Sequence, residues 1–162
     1  MLKIKLLILS LTSLIFIACS SNQPNKDQYK YSLDYIGGGF DGLLLHNLLN
    51  NYLKNSNLLD QSSKFKISAN IDHVSNVYVT NIDNTSDREN IKSSTSFSIM
   101  DTEKNCLIMS DSYSVSQFYI YASSEKYFSN QVAIKEIKKN NTEEIIKKII
   151  TKLKTIKMQC NQ

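Results

Sequence analysis

Residues 91–99 read IKSSTSFSI, and two kinds of side chain alternate along this stretch. One side carries Ile91, Ser93, Thr95, Phe97 and Ile99, and the other carries Lys92, Ser94, Ser96 and Ser98. Successive side chains of a β-strand point to opposite faces of its sheet. The alternation therefore predicts a strand with one buried face and one solvated face.

Similar alternation on both sides of this stretch predicts three further strands. Residues 29–36 (YKYSLDYI) place Tyr29, Tyr31, Leu33 and Tyr35 on one face, and residues 65–71 (FKISANI) follow the same period. Residues 106–121 form the last extended stretch, after a predicted hairpin connection at 101–105. The polar residues 83–88 (DNTSDR), which include Arg88, are typical of a turn.

Two segments have helical periodicity instead. In residues 43–54 the apolar positions Leu45, Leu48, Leu49 and Tyr52 recur at helical spacing, and Asp41 is a candidate N-cap. From about residue 124 a second stripe consists of Tyr127, Ile134, Ile137, Ile145, Ile149, Leu153 and Ile156. The polar pair Asn140 and Asn141 interrupts it, which predicts one long helix with fraying or a kink allowed at that pair.

The resulting element order is β-α-β-β-β-α. It predicts an α/β two-layer sandwich, in which a four-stranded mixed sheet carries two helices on one face. The other face of the sheet, rich in Ser, Lys and Asn, is then left to solvent or to a partner.

Length and charge exclude several classes of protein. The chain has 162 residues, which is enough for one domain, and Lys and Arg number 19 against 15 Asp and Glu. The formal net charge of +4 gives no case for a strongly basic nucleic-acid-binding protein. One Pro and four Gly argue against a disordered or collagen-like chain.

The amino terminus reads as a targeting segment. Residues 1–19 read MLKIKLLILSLTSLIFIAC: two lysines precede an apolar run too short to span a bilayer, and a small residue precedes Cys19. This arrangement resembles the lipobox of bacterial lipoproteins, which implies cleavage before Cys19 and acylation of that cysteine. Ser20 favours the outer membrane by the same resemblance. The alternatives are an ordinary cleavable signal and an uncut membrane anchor.

The predicted organisation is a signal peptide at 1–18, a polar lipidated tether at 19–28 and an α/β domain at 29–158. Loss of Lys3 and Lys5 with the signal leaves 17 basic residues against 15 acidic ones, so the domain is nearly neutral. Acyl chains on Cys19 would hold such a domain stably at a membrane surface.

No motif for catalysis or cofactor binding stands out. Residues 37–42 (GGGFDG), with Asp60 downstream, fit a dinucleotide fingerprint, but the half-polar strand before them favours a simple turn. His46 and His73 are the only histidines, and no cysteine–histidine spacing indicates a metal site. We therefore expect no enzymatic activity, no cofactor and no metal. Cys106 and Cys160 are either paired in a disulfide or two free thiols.

Taken in order, these segments resemble the LptE family of lipopolysaccharide-assembly lipoproteins. The likeness runs from Cys19 to about Ile156. It includes the strand–turn–helix ending LLNNYL, then FKISANI, TSDRENIKSSTSFSIMD, SDSYSVSQFYIYASSEKYF and the last helix. The resemblance implies a two-layer fold without catalysis that plugs and helps assemble the outer-membrane β-barrel LptD. It also implies binding of lipopolysaccharide during transport to the outer leaflet.

The resemblance further implies where lipopolysaccharide is contacted. It places Lys92 on the strand after the mid-chain loop and Lys126 at the start of the last helix at the two basic contact positions. Arg88, in the adjoining predicted turn, would add the bidentate geometry that a lysine lacks. The alternative function is an accessory subunit of another envelope complex that binds no lipopolysaccharide.

Overall fold

A computed structural model describes residues 29–79, 86–120 and 127–160 of the chain. The elements are β1 (Ser32–Gly37), α1 (Gly39–Asn55), β2 (Phe65–Val79), β3 (Ser86–Asp101), β4 (Cys106–Ile120) and α2 (Tyr127–Thr155). The predicted order β-α-β-β-β-α and the two-layer arrangement are confirmed. The predictions for residues 1–28, including acylation of Cys19, lie outside the described residues.

The four strands form one mixed sheet in the order β1-β2-β3-β4. β1 is parallel to β2, across the crossover made by α1, and the two later pairings are antiparallel. The turn between β3 and β4 is stabilised by buried Asp101, whose Oδ1 accepts the backbone N–H groups of Glu103 and Lys104 at 3.0 and 3.1 Å. This turn confirms the predicted hairpin connection.

Both helices pack on the same face of the sheet and enclose the core. The residue before β1 supplies Tyr31, and the strands supply Phe65, Ile67, Ala69, Ile71, Phe97, Ile99 and Ile108. The helix α1 and the loop after it supply Leu45, Leu49, Leu53 and Leu58, and α2 supplies Ile145, Ile146, Ile149, Ile150 and Leu153. As the alternation predicts, the odd-numbered residues from Ile91 to Ile99 are buried on the helix side, and the even-numbered residues lie on the outer face. Among the described residues, no helix is long and apolar enough to cross a membrane.

The predicted face of Tyr35 is wrong. The pairing register between β1 and β2 shifts between Leu33 and Ile36, which marks a β-bulge. Beyond the bulge Ile36 packs against the core, while Tyr35 is 73% exposed. An extra residue in one strand reverses the alternation that follows it, and the period of two alone does not reveal it.

The prediction that Asp41 caps α1 is also wrong. The helix begins earlier, at Gly39, and its N-cap is Gly38 with a φ of 114°. A side chain at Gly38 would lie 2.6 Å from the backbone oxygen of Ile71, so close packing also requires glycine here. Asp41 lies instead in the first turn of the helix, where a carboxylate suits the helix dipole.

The long helix is continuous through the asparagine pair, so the helix does not fray there. Asn140 is exposed, whereas Asn141 is fully buried and donates hydrogen bonds to Ile91 O at 3.0 Å and Ser93 Oγ at 3.1 Å. The polar gap in the stripe is therefore a tertiary contact with β3. Beyond the helix, Cys160 is joined to Cys106 by a disulfide, with their Cα atoms 5.7 Å apart.

Candidate ligand-binding surface

The outer face of the sheet is polar across its middle. Even-numbered residues of β3 point away from the helices, and the register places similar residues beside them on both neighbouring strands. The rows across the sheet are Ser68–Ser98–Ser110, Asn70–Ser96–Ser112, Asp72–Ser94–Ser114 and Val74–Lys92–Ser116. This hydroxyl-rich face, named here the serine face, matches the predicted polar side of the sheet.

Both described basic candidates lie on this outer face. Lys92 is exposed between Val74 and Ser116, as the alternation predicts. Arg88 is not in a turn, which corrects the sequence prediction: it lies within β3, paired with Tyr78 and Ile120. The two cations are about 13 Å apart along the strand, since each residue advances roughly 3.3 Å.

An apolar cluster surrounds Arg88 at the far end of the three long strands. The rings of Tyr78 and Phe118 lie 6.1 Å apart at an interplanar angle of 52°. Phe118 is 66% exposed and Ile120 is 71% exposed. We name the surface formed by Tyr78, Arg88, Lys92, Phe118 and Ile120 the distal patch. Cationic and apolar groups share this surface.

The charge of this face favours an anionic ligand. In the described parts of β2, β3 and β4, the outward positions carry the cations Lys66, Arg88 and Lys92 and the single carboxylate Asp72. Guanidinium and ammonium groups bind phosphate through charge-assisted hydrogen bonds, while exposed rings and aliphatic carbon attract acyl chains. The distal patch can therefore bind an amphipathic ligand with anionic groups.

The third basic candidate, Lys126, lies outside the described residues. α2 begins immediately after it, at Tyr127, and the side chain of Phe128 in the first turn is exposed.

A buried polar cluster links both helices to the two central strands. The Ser93 hydroxyl and Nδ1 of His73 share a 2.6 Å hydrogen bond, and Nε2 of that ring faces Asp41 Oδ2 at 3.9 Å. Lys138 Nζ of α2 lies 3.8 Å from the same Asp41 oxygen. The His73 side chain is 1% exposed, and burial lowers its pKa more than the nearby Asp41 carboxylate raises it.

This cluster contains a serine, a histidine and an aspartate, but its geometry does not suit nucleophilic catalysis. Ser93 is 0% exposed, so no substrate can approach its hydroxyl. Asn141 also donates to the same Ser93 oxygen. The arrangement instead positions α1 and α2 over the sheet.

The glycine-rich turn does not form a dinucleotide site with Asp60. The turn lies at the carboxyl end of β1, whereas Asp60 N donates to Tyr31 O at the opposite end of that strand. A dinucleotide fold needs both groups at the carboxyl ends of the strands. Among the residues that the structure describes, no group of His, Cys, Asp and Glu side chains can hold a metal ion.

Sequence reasoning missed the apolar half of the distal patch. Phe118 and Ile120 have the same parity as Ser112 and Ser116, so the alternation in β4 already places them on the outer face. Their proximity to Tyr78 and Arg88 follows only from the pairing register, which no single strand reveals.

Comparison with known proteins identifies relatives by structure only. No protein-family model matches the chain, and no curated protein matches it in sequence. A minor lipoprotein from Acinetobacter baumannii aligns with a TM-score of 0.60 at 14% identity, covering 83% of this chain and 97% of that one.

Two further solved structures agree in fold. Rare lipoprotein B from Shewanella oneidensis aligns with a TM-score of 0.55 at 10% identity, covering 75% of this chain and 94% of that one. Lipoprotein B from Nitrosomonas europaea gives a TM-score of 0.59 at 8% identity, covering 78% and 83%. The chain therefore shares the fold of several bacterial lipoproteins.

Proposed function

We propose that the protein is a lipid-anchored lipoprotein of the bacterial outer membrane that plugs and helps assemble an LptD-type β-barrel and binds lipopolysaccharide. The observation that carries the proposal is the distal patch, where Arg88 and Lys92 share the outer face of the sheet with Tyr78, Phe118 and Ile120. Lipopolysaccharide carries phosphates next to acyl chains, and this patch offers cations next to apolar carbon. The proposed role involves no catalysis.

The lipid anchor rests on the amino terminus and on the structural relatives. Residues 1–19 have the charge, apolar run and terminal Ala-Cys of a lipoprotein signal. The solved structures with this fold are themselves called lipoproteins. An acylated Cys19 would keep the domain at the membrane surface and raise its effective concentration near a membrane-embedded partner.

The serine face supports a partner with a wet, polar surface. The lumen of an outer-membrane barrel is polar and hydrated, so a domain inside it needs hydroxyl and amide groups on its outside. The rows from Ser68 to Ser116 provide them across three strands. We propose that the domain lies inside the lumen with this face toward the inner wall of the barrel.

Lipopolysaccharide binding by charge-reversed protein tests the ligand. The full-length protein with Arg88→Glu and Lys92→Glu, kept in a nonionic detergent, should bind purified lipopolysaccharide at least tenfold more weakly than the wild type. Lys66→Glu is the matched control, because Lys66 lies on the same face about 26 Å from Lys92 along the strands. Equal losses of lipopolysaccharide affinity in both variants, or no loss in either, would contradict the proposed site.

Copurification from outer membranes tests the partner separately. A very large β-barrel protein should accompany both the wild type and the Arg88→Glu, Lys92→Glu variant, because reversal of the ligand-binding charges leaves the serines intact. If the protein copurifies with a different envelope complex and shows no lipopolysaccharide binding, it is an accessory subunit of that complex instead.

A further inference from the structure

The edge of the sheet at β4 is long and open. β4 runs from Cys106 to Ile120 and pairs with β3 on one side, and no strand among the described residues pairs with its other side. Backbone N–H and C=O groups of alternate residues along such an edge point away from the sheet. They are available to a further strand.

We assign the backbone N–H and C=O groups that point away from the sheet to the serines of β4. The Ser112 N–H donates to the carboxylate of its neighbour Asp111 at 2.8 Å, and from this bond we assign the outward backbone groups to the even-numbered residues. Register with β3 is unbroken from Met109 to Ile120. Ser110, Ser114 and Ser116 therefore present donors and acceptors along the same edge.

β4 lacks the residues that normally protect an edge strand. Its sequence CLIMSDSYSVSQFYI has no Lys, Arg or Pro, and Asp111 is its only charge. Natural proteins discourage unwanted pairing at open edges with lysines, prolines or very short strands. A fifteen-residue edge without these features is suited to pairing with another chain.

A cationic cleft runs beside this edge. It has a volume of ≈ 470 Å³, and Tyr113 of β4 lines it together with Lys147, Lys148 and Lys152 of α2. Lys147 is paired with Glu144 at 3.8 Å. Among the ion pairs of the described residues, Lys148 and Lys152 have no carboxylate partner.

We propose that β4 accepts an extended, acidic segment of a partner protein as a fifth strand, with its carboxylates beside Lys148 and Lys152. The spacing fits: residues four apart on a helix are separated by about 6 Å along its axis, and residues two apart on a strand by roughly 6.6 Å. Acidic residues at every second position therefore match the two lysines. Main-chain bonds supply affinity and the lysines supply specificity.

Charge argues against a second copy of this chain at the same edge. A two-fold interface repeats one patch on both partners. Pairing through two β4 strands would bring Lys148 and Lys152 of each copy toward the junction, where like charges repel. An acidic strand meets no such repulsion. The proposal does not depend on the distal patch, which lies on the outer face of the sheet.

A designed peptide tests the proposal on the full-length protein in nonionic detergent. The probe is a blocked ten-residue peptide of alternating Val and Glu, and its counterpart alternates Val and Lys. We expect the Glu peptide to bind at least tenfold more tightly and to slow amide hydrogen exchange at Ser114 and Ser116. Equal affinity for the two peptides, or no binding of the Glu peptide, would overturn the proposal.

Two sets of variants localise the binding. Ser114→Pro removes an outward N–H, which an edge strand tolerates. This variant should bind the Glu peptide at least tenfold more weakly, while Ser114→Thr should bind it as the wild type does. The double variant Lys148→Glu, Lys152→Glu should weaken binding of the Glu peptide similarly. The control Lys54→Glu, Lys135→Glu changes exposed helix positions outside the cleft and should bind the peptide normally.

The charge variants keep the test decisive if Ser114→Pro fails to fold. Binding that survives reversal of Lys148 and Lys152 would contradict the proposed site. Light scattering gives an independent result: a stable dimer that Ser114→Pro dissociates would show that a second copy, rather than an acidic strand, occupies the edge.

Discussion

The hydroxyl of Tyr31 donates a 2.9 Å hydrogen bond to the carbonyl oxygen of Leu153, which lies 122 residues further along the chain. Leu153 is in the last turn of α2, where helix carbonyl groups have no partner within the helix. Tyr31 is fully buried beside β1, and burial raises the pKa of its hydroxyl. The group therefore stays protonated and joins the first strand to the end of the last helix.

Tyr31→Phe should lower the free energy of unfolding by about 1–2 kcal/mol, because it leaves the buried Leu153 carbonyl without its donor. Urea denaturation measures the change. Tyr35→Phe, in the adjoining strand β1, is the control: Tyr35 is exposed, so we expect a change within about 0.5 kcal/mol. Equal effects of the two substitutions would contradict the role of the Tyr31 hydroxyl.

The adjacent asparagines of α2 should respond differently to alanine. Asn141→Ala removes the donors to Ile91 O and Ser93 Oγ inside the protein, and should cost about 2 kcal/mol of unfolding free energy. Asn140→Ala, at an exposed position, should change it by less than about 0.5 kcal/mol. Thermal or urea unfolding of both variants checks the difference, and a larger loss at Asn140 would contradict the described orientation of the helix.

Stability should depend on pH through His73. Burial lowers the pKa of its imidazole in the folded protein, so the unfolded chain binds the proton more readily. The free energy of unfolding should therefore fall as the pH drops below about 6.5, the ordinary pKa of histidine, by at most about 1.4 kcal/mol per pH unit. Urea denaturation between pH 7.5 and 5.5 measures this slope.

His73→Asn is the control for that slope, because other groups also titrate in acid. Asp41, Lys138 and Asp72 face or neighbour the imidazole and remain in the variant. The wild type should lose more stability than the variant over this range. A wild type that gains stability in acid relative to the variant would show that His73 holds its proton more tightly in the folded state.

The disulfide should contribute substantially to stability. Cys106 and Cys160 are 54 residues apart, and closing a loop of that length stabilises a protein by about 4 kcal/mol in the chain-entropy model. Cys160→Ala should lose up to this amount. A reductant should destabilise the wild type but leave the variant unchanged, and thiol counting on unreduced, denatured protein should find neither cysteine free.

The sequence alone predicts only part of the distal patch. The sequence predicts the outward face of Lys92 correctly, because strand alternation within β3 alone determines that face. The polar run DNTSDR predicts a turn at Arg88, yet residues from Ser86 onward pair with β2. Cross-strand hydrogen bonds outweighed the local turn preference, and that preference is all that a single segment displays.

The order of elements and the division into core and outer face followed from the sequence by itself. Periods of two and 3.6 residues are local properties, and each determines which side of an element is apolar. Tertiary structure alone decided the bulge that exposes Tyr35, the burial of Asn141, the Cys106–Cys160 pair and the row that joins Tyr78, Arg88 and Ile120. Each depends on which residue lies opposite in another element, and distant segments acquire that relationship only when they pack together.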